Sequence, residues 1–162
     1  MPAAGARGRA MSRPQHRIRP WKTLAAYLLA HAAVVQLVPV AWLAPNLTLA
    51  GVVASVGVEP RRWLWLSGAA GLLSMVWAVS GGWRLLAGYL LVGGLVRWAA
   101  GHWDTGDRRV LTALTGAGAS LLAGLWLWWI PARPWALVAW ALLHVVLTAG
   151  VAWVAQGELR DA

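Results

Sequence analysis

Five long stretches of this chain contain neither Asp nor Glu: Thr23 to Ala44, Trp63 to Val79, Leu85 to Ala100, Val110 to Ile130 and Trp135 to Ala155. Each is apolar almost throughout. Such runs do not suit the surface of a water-soluble domain, where about a quarter of residues are charged; here the share is 12%. In hydrocarbon every backbone N–H and C=O must bond within the protein, so a span is a helix or part of a closed barrel. These runs exceed a barrel strand in length and do not alternate. The expected fold is an all-α integral membrane protein.

A sixth segment is ambiguous. In "APNLTLAGVVASVGVEPRRW" (residues 44 to 63) the apolar part covers only residues 46 to 58. As a helix it reaches roughly 20 Å, short of a hydrocarbon core of about 30 Å. The basic residues decide. If this segment does not cross, the fourteen Lys and Arg divide almost evenly between the two sides. If it does, Arg61, Arg62, Arg97, Arg108, Arg109 and Arg160 join the six of the N-terminal stretch on one side, and only Arg84 and Arg133 stay on the other. Cytoplasmic loops carry the excess of Lys and Arg. Six crossings with both termini cytoplasmic are therefore expected, the second helix being short. Pro45 suits its first turn, where a missing N–H costs nothing. Extension toward Trp63, with snorkelling of Arg61 and Arg62, would lengthen it.

The domain organisation follows: a disordered basic cytoplasmic tail over 1–21, one six-helix transmembrane domain over 22–156 and a cytoplasmic C-terminal tail over 157–162. Ala30-His31-Ala32 resembles a signal-peptide cleavage site, but apolar character continues past it, so the first helix reads as uncleaved. The net charge of +9 sits at run ends rather than along a soluble face, which argues for membrane topology and against nucleic acid. Many of the fourteen Trp residues also fall at run ends, where an indole suits the headgroup boundary. No cysteine is present.

Chemistry at membrane depth is sparse. His31, Gln36, Asn46, Ser74, His144 and Thr148 are the clear polar residues. Tyr27 and His31, four apart, share a face and form an expected polar pair. A proton relay would want a carboxylate, and none lies in the runs. "HWDTGD" (His102 to Asp107) carries metal-capable groups without a recognised spacing and reads as a solvated, salt-bridged loop. Asn46-Leu47-Thr48 fits a glycosylation pattern at the membrane edge and reads as coincidence. No phosphate loop, nucleophile elbow or zinc signature is found, so no enzyme, cofactor or metal is expected. Gly71, Gly93 and Gly94, with Ser67 four before Gly71, permit close helix approach in lipid.

Pro45-Asn46-Leu47 leading an apolar run, "EPRRW", "SGAAGLLSMVWAVSGGWRLLAGYLLVGGLVRW" (Ser67 to Trp98) and two further helices around "PARPW" resemble, in order and spacing, the rod shape-determining MreD family of bacteria. The likeness covers roughly residues 22 to 156. Met75 stands where that family commonly has an Asp. The resemblance implies a compact bundle of six transmembrane helices, similar to the substrate-binding subunits of energy-coupling-factor transporters. It also implies a non-enzymatic scaffold of the side-wall peptidoglycan machinery in the bacterial cell membrane. The implied partners are a single-span MreC-like protein, RodA with its transpeptidase and, indirectly, MreB, besides the lipid bilayer. On that reading His31, Gln36, Pro45, Asn46, Leu47, Gly71, Arg84, Gly93, Gly94 and His144 are the expected partner-binding or pocket residues. The alternative is a substrate-binding membrane subunit of a vitamin-type transporter, with Trp42, Trp83 and Trp135 stacking on the ligand.

Overall fold

The computed structural model describes residues 19–37, 44–77, 82–128 and 135–161. The expected basic tail before Arg19, the Ser80-Gly81 break and the Pro131-to-Pro134 turn lie outside them. The described residues are all-helical: α1 (Pro20–Leu37), α2 (Leu47–Val58), a 3-10 turn (Pro60–Arg62), α3 (Trp63–Trp77), α4 (Gly82–Ala100), α5 (Arg108–Trp128) and α6 (Trp135–Asp161). The first helix starts at Pro20, inside the expected tail, because proline is at home in a first turn. The last helix continues through the stretch expected as a C-terminal tail.

The ambiguous segment is the centre of the molecule. Every residue from Leu47 to Val56 is buried, and α2 touches α1, α3, α4, α5 and α6. A helix apolar on all sides has no face to give to a polar solvent, so it is buried on all sides. Its small residues make room: a Cβ on Gly51 would stand 2.6 Å from the Tyr27 Cβ, and one on Gly118 of α5 would stand 3.3 Å from Leu49 Cδ1. Leu49, Val52, Val53 and Val56 form the main core with Tyr89, Val92 and Val96 of α4.

Both ends of α2 differ from expectation. Pro45 is not in the first turn; Asn46 is the N-cap, and its side chain accepts a hydrogen bond from the Leu49 N–H. Nor does the helix extend toward Trp63. It stops at Val58 because Glu59 precedes Pro60, and a residue before proline avoids the α region.

Neighbouring helices run antiparallel. Tyr27 of α1 lies on Gly51 of α2, Leu86 of α4 on Gly71 of α3, and Ala149 of α6 on Gly116 of α5. Lys22, Arg61, Arg62, Arg97, Arg108 and Arg109 therefore gather at one end of the bundle, with Arg84 at the other. Several lie over indole faces: Arg108 is 3.9 Å from the Trp153 ring centroid, Arg97 6.0 Å from that of Trp63, and Arg84 5.7 Å from that of Trp83. Two helices, α5 and α6, are long and apolar enough to cross a membrane by length and composition, over Arg108–Trp128 and Trp135–Gln156.

The core is apolar with a few polar residues in it, and large apolar side chains also cover the outside. Thr48, Ser55, Ser67, Thr115, Thr148 and Gln156 are buried, whereas Trp65, Leu72, Val76, Leu142, Val146 and Val154 point outward. Trp65 is 82% and Val76 80% exposed.

Candidate functional site

At about 1.5 Å per residue the 12 residues of α2 span ~18 Å, while the 21 of α5 span ~32 Å. The N-terminus of α2 therefore stops partway along the bundle. Asn46 stands at that point. Its Oδ1 accepts from the Leu49 N–H at 3.0 Å and from the Tyr89 hydroxyl of α4 at 3.0 Å, and its own N–H donates to the Thr148 hydroxyl of α6 at 3.0 Å. One side chain and its backbone thus join α2, α4 and α6. The hydroxyls of Ser74 and Thr48 also approach the Tyr89 phenol.

Two cavities border this node. The first, about 220 Å³, is lined by Leu28, His31, Asn46, Ser74, Leu85 and Tyr89 among others. The second, about 240 Å³, is lined by Asn46, Leu122, Trp126, Trp140 and His144 among others. Each histidine lines a cavity that Asn46 also lines, His31 the first and His144 the second. His31 Nδ1 is shielded from solvent and has no hydrogen-bond partner; the Pro45 carbonyl approaches the ring without making a hydrogen bond of good geometry.

The expected site residues separate into three groups. His31, Asn46 and His144 meet around the cavities, with Pro45 beside them. Leu47 is a core residue packed with Tyr27, Ala50 and Ala152. Gly71, Gly93 and Gly94 belong to the seam between α3 and α4: Gly71 lies on Leu86, Gly93 on Ser67, and Gly94 3.6 Å from the Trp63 ring. Gln36 is exposed near the end of α1, and Arg84 lies at Trp83; neither lines a cavity. Trp83 and Trp135 point outward, the latter 86% exposed, and Trp42 lies outside the described residues.

Two readings of local chemistry change. Tyr27 and His31 do not form a hydrogen-bonded pair: the Tyr27 hydroxyl has no partner, because its ring is held on Gly51. The "HWDTGD" loop is ordered by backbone capping rather than by salt bridges. Asp104 accepts from the Gly106 N–H and Asp107 from the Arg109 N–H, each at 2.8 Å. Among the described residues no group of three or more His, Cys, Asp or Glu could hold a metal ion.

Sequence reasoning missed Tyr89 and Thr48 as parts of the node. Tyr89 is one of two tyrosines in the chain, and its place amid a glycine-rich apolar helix was the available signal. Comparison with protein-family models, with curated proteins and with solved structures finds no match to this chain.

Proposed function

We propose that this chain is a multi-pass protein of the bacterial cell membrane that acts without catalysis, as an MreD-like scaffold holding the membrane helix of a single-span, MreC-like partner. The observation that carries the reading is the outer surface: Trp, Leu and Val side chains stand exposed along several helices, around an apolar core that also holds buried hydroxyls and an amide. In water such a surface would far exceed the apolar patch of an ordinary monomer; in lipid it is the solvated face. On this reading all six helices cross, and α2, sheathed by the others, needs no match to the bilayer thickness. The gathering of cationic residues at one end supports cytoplasmic termini.

Docking is supported by outward glycines. A Cβ on Gly68, Gly124 or Gly150 would meet nothing within 4 Å. On α3, Trp65, Gly68, Ala69, Leu72 and Val76 share a face, with the small pair forming a notch between larger side chains. Two helices in lipid gain no hydrophobic energy on meeting, so close packing at small residues must hold them. Affinity purification from membranes is expected to recover a single-span partner, and depletion to round the cells. Recovery of the chain in the soluble fraction would overturn the membrane reading; unchanged rod shape after depletion would overturn the scaffold reading.

A substrate-binding transporter subunit is the second reading, favoured by the cavities beside Asn46. Normal shape together with a new requirement for an external nutrient would select it.

A further inference from the structure

Asn46 has a hydrogen-bonding group to spare. Its Oδ1 meets the Leu49 N–H and the Tyr89 hydroxyl. A backbone N–H can only donate, so the atom in front of it is the carbonyl oxygen, and the orientation of the amide is fixed. Nδ2 then points away from both. Among the described residues it has no hydrogen-bond partner, and, unlike His31 Nδ1 and the Tyr27 hydroxyl, it is not shut off from solvent. The amide N–H donors at the cap of the central helix are open, and Asn46 borders both cavities. Leu85 borders both as well, so the two adjoin there.

The second cavity suits the body of a ligand. Its volume of about 240 Å³ exceeds the ~150 Å³ of a cavity that takes up benzene. Leu85, Leu122, Trp126, Trp140 and alanines form its wall, with Asn46 and His144 as the polar members. An ordered water wants several polar partners, and this wall has too few to fill the space with water. An apolar body is favoured there, and a flat ring gains further at an indole. Among the described residues no Asp, Glu, Lys or Arg lines either cavity, so an ion would be buried without a counter-charge, which is costly. The open donors of Asn46 call for an acceptor. A carbonyl supplies one and brings no donor of its own that would need a partner.

We propose that the second cavity is a binding site for a neutral, flat ring compound bearing a carbonyl, whose oxygen accepts from Asn46 Nδ2 and whose ring lies against Trp126 and Trp140. The inference goes beyond the scaffold reading and does not depend on it: the site differs from the outward face of α3 and would be occupied with or without a protein partner.

The test uses the purified full chain in detergent micelles and fluorine NMR, with two probes: a naphthoquinone carrying a trifluoromethyl group, and the naphthalene of the same shape without the carbonyls. The chain has no cysteine to react with the quinone. A bound resonance, distinct from that of the probe in micelles and saturating, is expected for the quinone. The naphthalene should bind roughly tenfold more weakly, since one hydrogen bond is missing. Asn46→Asp keeps an oxygen for the Leu49 N–H and the Tyr89 hydroxyl and removes the N–H donors, so it should weaken the quinone roughly tenfold and leave the naphthalene unchanged. Ala123→Phe, which fills the second cavity and leaves Asn46 in place, should abolish binding of both probes. The comparison of the two probes tests the amide in the unaltered chain, so the proposal stays open to refutation if Asn46→Asp fails to fold. Absence of a saturable resonance overturns the proposal, as do equal affinities for the two probes or binding indifferent to either substitution.

Discussion

Thr105, in the loop before α5, donates its hydroxyl to the carbonyl of Gly57 at 2.9 Å across 48 residues of chain. The last carbonyls of a helix have no partner within it, and α2 ends where the chain reaches the surface, at the exposed Val58. Thr105 supplies one partner from a distant loop that is itself folded by Asp104 and Asp107. The central helix is thus closed at both ends by side chains, Asn46 at one and Thr105 at the other.

Thr105→Val keeps the shape and removes the donor. Loss of one part-buried hydrogen bond is expected to destabilise the protein by about 1 kcal/mol, read as a lower melting temperature in detergent. Thr105→Ser should restore most of it. Equal stability of the Val and Ser variants would show that the contact contributes nothing.

Asn46 and Tyr89 should be energetically coupled. Tyr89→Phe removes one donor and is expected to cost ~1 kcal/mol. Asn46→Ala removes an N-cap and strands the Tyr89 hydroxyl and the Leu49 N–H, for a loss of about 2 kcal/mol or more. The double variant should cost less than the two single losses combined, by ~1 kcal/mol. Strict additivity in thermal or denaturant melts would separate the two residues.

The glycines of α3 and α4 should split into two classes. Gly93 lies against Ser67, so Gly93→Val should overpack the seam and cost about 1–3 kcal/mol. Gly68 faces open space, so Gly68→Ala should leave the isolated protein as stable or raise it by ~0.5–1 kcal/mol through helix propensity. Gly68→Leu should leave the isolated protein folded and reduce recovery of the membrane partner. Undiminished recovery would place docking on another face.

Sidedness can be read directly, because the chain has no cysteine. On intact cells a membrane-impermeant maleimide should label Trp83→Cys and not Arg61→Cys. Both positions are substantially exposed, so access is set by the side of the membrane. Labelling of Arg61→Cys and not of Trp83→Cys would reverse the orientation or remove the second crossing, and labelling of both would remove the crossing by α3.

The sequence alone determined that the described chain would be helical, and roughly where most helices lie. Long apolar runs without acids leave the backbone no other way to satisfy its own hydrogen bonds, and that constraint is local. The basic residues at run ends likewise implied the antiparallel order that brings Arg61, Arg97 and Arg108 to one end. The boundaries of α2 were less legible: its stop at Val58 follows from Pro60, yet its start depends on the Asn46 side chain turning back to Leu49. What surrounds α2 was not legible at all. An all-apolar helix carries no stripe to say which neighbour it faces, and the partners of Asn46 lie 43 and 102 residues away, at Tyr89 and Thr148. Only the packing of five helices around a sixth too short to fill the bundle decided that a polar node and two cavities would form at its end. Such contacts depend on how far one helix reaches against another, a relation between elements that no stretch of residues contains.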